Sequence, residues 1–130
     1  GDKDTALVSE LLKLAEHKQQ FWNKSLLEEE FPSMYLEGHY EIIKELCTAI
    51  LAFDGWKALN HECIFAYLKE KKQDLEIDFD YLLELKDKRN DIDYRGIKVS
   101  PTIWKNNKLK IQITIKTLFD YLKNNIKTQS

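Results

Sequence analysis

Apolar residues recur every three or four positions along most of this chain, and breaks in that rhythm divide it into five segments. In the first, Leu7, Leu11, Leu14, Phe21 and Trp22 follow a helical stripe that Asp4 or Thr5 can cap. Glu28-Glu29-Glu30 and Phe31-Pro32 close it, and Ser33 is placed to cap the next segment. There Leu36, Tyr40, Ile43, Cys47 and Ile50 step by three and four until Asp54-Gly55, glycine being the usual residue beyond a helix C-terminus. A short third helix is expected after Asn60, with Ile64, Phe65 and Leu68 inside, and residues 70–77 form a charged connector. Asp78 opens a fourth helix that ends at Gly96, and Ser100-Pro101 is a cap and first-turn pair for a fifth.

Two places depart from the simple pattern. In the fifth segment Leu109, Ile111, Ile113 and Ile115 alternate as a strand would. The stripe Ile111, Ile115, Leu118, Leu122 and Ile126 fits a helix over a longer span, and no second strand candidate exists to pair with. In the fourth, Arg89 lies four residues after Leu85 and seven after Leu82, which projects a charge onto the apolar face, and Asp93 follows one turn later. A charged pair on a packed stripe costs free energy unless each member finds a partner. Base before acid is also the weaker order for plain helix support at this spacing.

At 130 residues the chain reads as a single domain over 1–130. Its 43% hydrophobic and 32% charged residues, with 4 Gly and 2 Pro, suit an all-α protein, an antiparallel up-and-down bundle of about five helices. No apolar run approaches a membrane span, no signal-like segment opens the chain, and Gly1 in place of a methionine reads as a cloning remnant. A cytoplasmic location without membrane contact is expected, with Cys47 and Cys63 as reduced core thiols rather than a disulfide or zinc site. No metal or cofactor is expected.

Net charge is −2, but residues 98–130 carry seven lysines against Asp120, a local +6 that leaves −8 elsewhere. The basic face, with Lys105, Lys108 and Lys110, could meet RNA phosphates or an acidic partner, or be a solvated face.

The segment Lys88-Arg89-Asn90-Asp91-Ile92-Asp93-Tyr94-Arg95-Gly96 holds the densest candidate chemistry. Arg89-Asn90, three variable positions, Tyr94 and then a glycine resemble the signature helix of the HEPN superfamily. These are small all-helical proteins, many of them dimeric RNases or partners of minimal nucleotidyltransferases. Nuclease members carry R-x-x-x-x-H; here Tyr94 stands in the histidine position, and Asp93-Tyr94 is similar to a branch ending in Asp-Tyr. The resemblance implies a HEPN-like bundle, a homodimer, and Arg89, Asn90, Asp93, Tyr94 and Arg95 as a site for a nucleotide, RNA or a nucleotidyltransferase partner.

Each candidate also has a structural reading. Arg89 can grip a phosphate bidentately or form a salt bridge with Asp93 or with an acid of another helix. Asn90 can hold a partner loop or cap its helix. Tyr94, with a reference pKa of about 10, is a poor base at pH 7 but can donate a hydrogen bond, stack on a base or sit at a dimer seam. His61, at a helix start, is expected to be neutral and is either a base or a polar residue closing the core. His39 projects to the edge of its stripe, and His17 looks exposed. Phosphate-cradling glycine loops, H-E-x-x-H and nucleophile elbows are absent from the sequence. Trp22, Trp56 and Trp104 read as core or interface anchors. A non-catalytic nucleotide- or RNA-binding accessory module follows as the expectation. The alternative is a metal-independent RNase using Arg89 with His61 or Tyr94.

Overall fold

The computed structural model describes residues 4–56 and 61–129, without the side chains of His61, Glu62 and residues 127–129. Five helices and no strand occur among the described residues: α1 (Thr5–Lys24), α2 (Pro32–Phe53), α3 (His61–Lys71), α4 (Phe79–Arg95) and α5 (Pro101–Gln129). Asp4 caps α1 by accepting from Leu7 N at 2.9 Å, and Asp78 caps α4 by accepting from Tyr81 N at 3.0 Å. Gly55 and Gly96, beyond the ends of α2 and α4, have φ of 85° and 65°, which glycine adopts without a Cβ penalty. Ser100 accepts from Ile103 N at 3.2 Å and Pro101 begins α5. The expected cap at Asn60 lies outside the described residues.

Ser33 does not cap α2. Phe31 takes the cap position without a side-chain bond, and Pro32 starts the helix, its missing N–H being no loss in a first turn. The Ser33 hydroxyl instead accepts from Val99 N at 2.8 Å, tying the α4–α5 connector to the start of α2.

The second helix is the axis of the molecule. It packs against each of the other four helices, and 14 of its 22 residues are buried. Its expected stripe, Leu36 through Ile50, is fully buried, as are Ile42, Leu46 and Ala49 on the flanking lines. A helix buried on most sides is an apolar core element. In α5, Ile111, Ile115, Leu118 and Leu122 are buried while Leu109 and Ile113 point outward, as positions two apart on a helix must.

The first helix corrects the expectation about its face. Leu7, Leu14 and Phe21 are exposed, and the buried line runs through Val8 and Ala15, with Leu11, Leu12 and Trp22 packed against the core. Both lines satisfy a helical period; small residues decide between them. Ala15 lets α1 approach α2, and a Cβ at Gly38 would overlap the Trp22 indole, so that glycine is the seat of the close approach. Lys18 of α1 then reaches the buried Glu45 of α2. Cys47 is buried as expected, whereas Cys63 is exposed, because α3 turns only Ile64, Phe65 and Leu68 into the core. No helix among the described residues is long and apolar enough to cross a membrane.

Candidate functional site

Arg89 lies on the core-facing line of α4, one turn beyond Leu85, and its side chain is 14% exposed. At that depth a guanidinium must find acceptors, and it has three. Nε forms an ion pair with Asp93 Oδ2 at 3.0 Å, one terminal nitrogen donates to Glu41 Oε1 at 3.1 Å, and the other to Asn90 Oδ1 at 3.2 Å. The guanidinium lies over the Tyr40 ring at 5.5 Å. Glu41 is held from its other oxygen by Lys44 at 2.8 Å. Glu37, one turn earlier on α2, lies close enough to Asp93 for the two carboxyls to influence each other.

The charges in this cluster shift one another. Burial, followed by the hydrogen bond to Asp93 and repulsion from it, pushes the Glu37 carboxyl above its ordinary range. Burial raises Glu41 as well, but the bonds and charges of Lys44 and Arg89 outweigh it and leave it low. Burial opposes the charge of Arg89, and Asp93 and Glu41 more than offset it. Tyr40 is held well above the ordinary phenol range, chiefly by burial. Three carboxylates thus face two cations, Arg89 and Lys44.

Arg89, Asn90 and Asp93 come together as a unit, and α2 adds Glu37, Tyr40, Glu41 and Lys44. Their sequence signal was the spacing of Glu37, Glu41 and Lys44 along one line beside the apolar stripe. Tyr94 is 77% exposed and turns to solvent, one residue off the buried line. Arg95 pairs with Asp91 at 3.4 Å on the open surface. The His61 side chain lies outside the described residues. A groove of about 340 Å³ adjoins the cluster, with His17, Phe21 and Trp22 of α1 and Gly38 and Glu41 of α2 along it. His17, exposed as expected, therefore borders the carboxylate that holds Arg89.

The basic face of α5 has a different character. Lys105 bonds Glu29 at 2.7 Å, Lys108 bonds Glu28 at 2.7 Å, and Lys110 bonds Asp78 at 2.9 Å while lying 4.3 Å from the Tyr81 ring centre. Glu29 and Asp78 titrate below their ordinary range, held down first by their bonds to Lys105 and Lys110. The acids come from the α1–α2 connector and the α4 cap, so the +6 seen in one stretch of sequence is largely answered across the fold.

The structure also draws His39 inward, to 5% exposure. Its Nδ1 donates to the Tyr35 carbonyl at 2.7 Å, and its ring lies 4.9 Å from Trp104 and 5.8 Å from Trp22 between centres. Its position beside rather than on the expected stripe concealed this, because α2 is buried more widely than one stripe. No protein-family model matches the sequence, and no curated protein matches it. The reading of the site accordingly rests on its geometry.

Proposed function

We propose that this chain is a HEPN-like accessory module, a homodimer that engages a partner through the face formed by α1, α2 and α4 and does not itself cleave RNA. The observation that carries this reading is the state of Arg89. It is paired with Asp93 and Glu41 and bonded to Asn90, and no described imidazole bonds to it. The imidazole of the R-x-x-x-x-H pattern is replaced by Tyr94, which faces solvent, and the guanidinium is already engaged by the protein's own acceptors rather than open to a scissile phosphate. Three carboxylates against two cations favour a protein partner over RNA phosphates. A minimal nucleotidyltransferase is the partner that the Arg89…Tyr94 resemblance implies.

The homodimer draws support from the exposed line Leu7, Leu14 and Phe21, spaced by seven along α1 and running into the groove beside Glu41. Apolar side chains beside a half-buried polar cluster suit a symmetric interface better than open water. A second reading, metal-independent RNA cleavage with Arg89, has one observation in its favour, the position of His17 on that groove.

Incubating single-stranded RNA with the protein, Arg89→Ala and His17→Ala, with light scattering alongside, tests both. The expected outcome is a particle of about twice the 15.4 kDa chain mass and no cleavage by any of the three. Cleavage lost in both variants would establish the nuclease instead, and a monomer at micromolar concentration would remove the dimer.

A further inference from the structure

On the other side of α2 from the Arg89 cluster, a cleft of about 370 Å³ opens between α1, α2 and α5. That volume falls within the usual ligand-pocket range of about 300–1,000 Å³. His39 and Glu41 are two positions apart, which on a helix turns them to different sides, so the two features are separate. We propose that this cleft binds a small phosphorylated sugar, with a ligand hydroxyl donating to His39 Nε2 and the phosphate meeting Lys116 and Lys123 at the rim.

The buried imidazole is the centre of the argument. A carbonyl can only accept, so the bond from Nδ1 to Tyr35 O puts the proton on Nδ1 and leaves Nε2 as a bare acceptor. No described residue bonds to Nε2, although His39 lines the cleft. Burial lowers the affinity of this ring for a second proton, so the acceptor persists at neutral pH. Nε2 is not sealed in the core but belongs to the cleft lining, where a donor from water or a ligand can meet it.

The walls narrow the class of ligand. Gln19, Asn23 and Gln112 bring three carboxamides, each able to donate and accept, which is the chemistry that reads hydroxyl groups. Only Ile115 and Phe119 are apolar, too little for a lipid or an aromatic drug-like body. A nucleobase would need a ring face to stack on, but Phe119 is 6% exposed and Lys123 already lies 5.1 Å from its centre. A metal ion is disfavoured by the lysines, and no cluster of three or more ligating side chains occurs among the described residues. At the rim, Lys116 and Lys123 supply two ammonium groups. Lys116 pairs with Asp120 at 2.9 Å and Lys123 with Glu16 at 3.5 Å, both in exposed geometry. Such pairs are worth about 0–1 kcal/mol and exchange readily for a dianionic phosphate.

The test is a titration of the full chain with ribose 5-phosphate, glucose 6-phosphate and glycerol 3-phosphate, read on the His39 ring nitrogens and Hε1 by NMR. The free sugars and inorganic phosphate form the control arms. At least one of the three phosphates should shift the His39 signals saturably, with the control arms binding about tenfold weaker or less. Gln112→Ala and Lys123→Ala, both at exposed positions, should each weaken binding about tenfold and leave the melting temperature unchanged. The proposal fails if none of the three phosphates moves His39 at millimolar concentration. It also fails if the variants bind as well as the parent, or if free sugar or phosphate alone binds equally.

Discussion

The Arg89 cluster and the lysine face of α5 are both charged features visible in the primary sequence, and folding treats them oppositely. Arg89 is one cation among several acceptors, 14% exposed, stacked over Tyr40 and joined to Asp93 and Glu41. Lys105 is a cation with one partner, Glu29, and those side chains are 59% and 76% exposed. Water screens the second pair, whereas removing one member of a desolvated network strands the rest. The number of charges in a stretch of sequence therefore says little about their weight. Depth and the number of shared partners set it.

The largest contrast should come from Arg89→Ala. It leaves Glu37, Glu41 and Asp93 facing one another without their main counter-charge, and we expect a loss of about 3 kcal/mol in urea unfolding. Arg89→Lys should recover only part of this, because one ammonium cannot reproduce the fork to Asp93 and Glu41. A loss for Arg89→Ala no larger than for a surface lysine would abolish the distinction between the two regions.

Next in size is a pH effect confined to the cluster. The folded-state pKa of Glu37 is raised above its unfolded value of 4.5, so the folded chain binds the extra proton. Its contribution is fully present below that value and is lost as pH rises through the higher folded pKa. Glu37→Gln keeps a hydrogen-bond donor toward Asp93 and cannot ionise. Stability of the variant should therefore exceed that of the parent above this window, and its pH profile should be flatter through it. Glu41 acts with the opposite sign: its lowered pKa gives stability that is present above the unfolded value and lost on acidification. Unfolding curves between about pH 3 and 7 separate the two, and a parallel profile for Glu37→Gln would refute the raised Glu37.

Replacing Lys105, Lys108 and Lys110 together by alanine should cost far less stability than Arg89→Ala, and the difference from the parent should shrink with added salt. Because their partners Glu29, Glu28 and Asp78 already answer them, weak RNA binding should change little in affinity or in salt slope. A marked fall in both would show that RNA displaces the acids.

The smallest effect belongs to Tyr94. Exposed as it is, Tyr94→Phe should change stability by less than about 0.5 kcal/mol. Tyr94→His should remain inactive on RNA, since the new imidazole would face solvent rather than the guanidinium. Cleavage gained by that single change would mean that a second subunit brings the two groups together.

Much of the fold was legible because local rules agree with it. Asp4, Asp78, Gly55, Gly96 and Ser100-Pro101 act where capping chemistry puts them, and the α2 stripe is buried to its last member. Arg89 was legible as a charge on a buried line, together with Asn90 and Asp93. The α2 half of the cluster was not, because nothing local says that Glu37 and Glu41 face Arg89, 48 positions from Glu41. Ser33 was misread for the same reason, its partner Val99 being 66 positions away.

Periodicity, caps and composition by themselves determined an all-helical chain of five segments and marked one arginine as misplaced for water. These depend on neighbours within a turn or two. Which of two equally periodic faces α1 buries was left to the pairing of Ala15 and Gly38 with α2 and Trp22, since small residues carry no hydrophobic signal yet set how closely helices approach. The α2 partners of Arg89, the neutralised lysines of α5 and the place of His39 in a cleft lining were likewise decided only in three dimensions. Electrostatic energy depends on distance through space and on depth below the surface, and a linear sequence encodes neither.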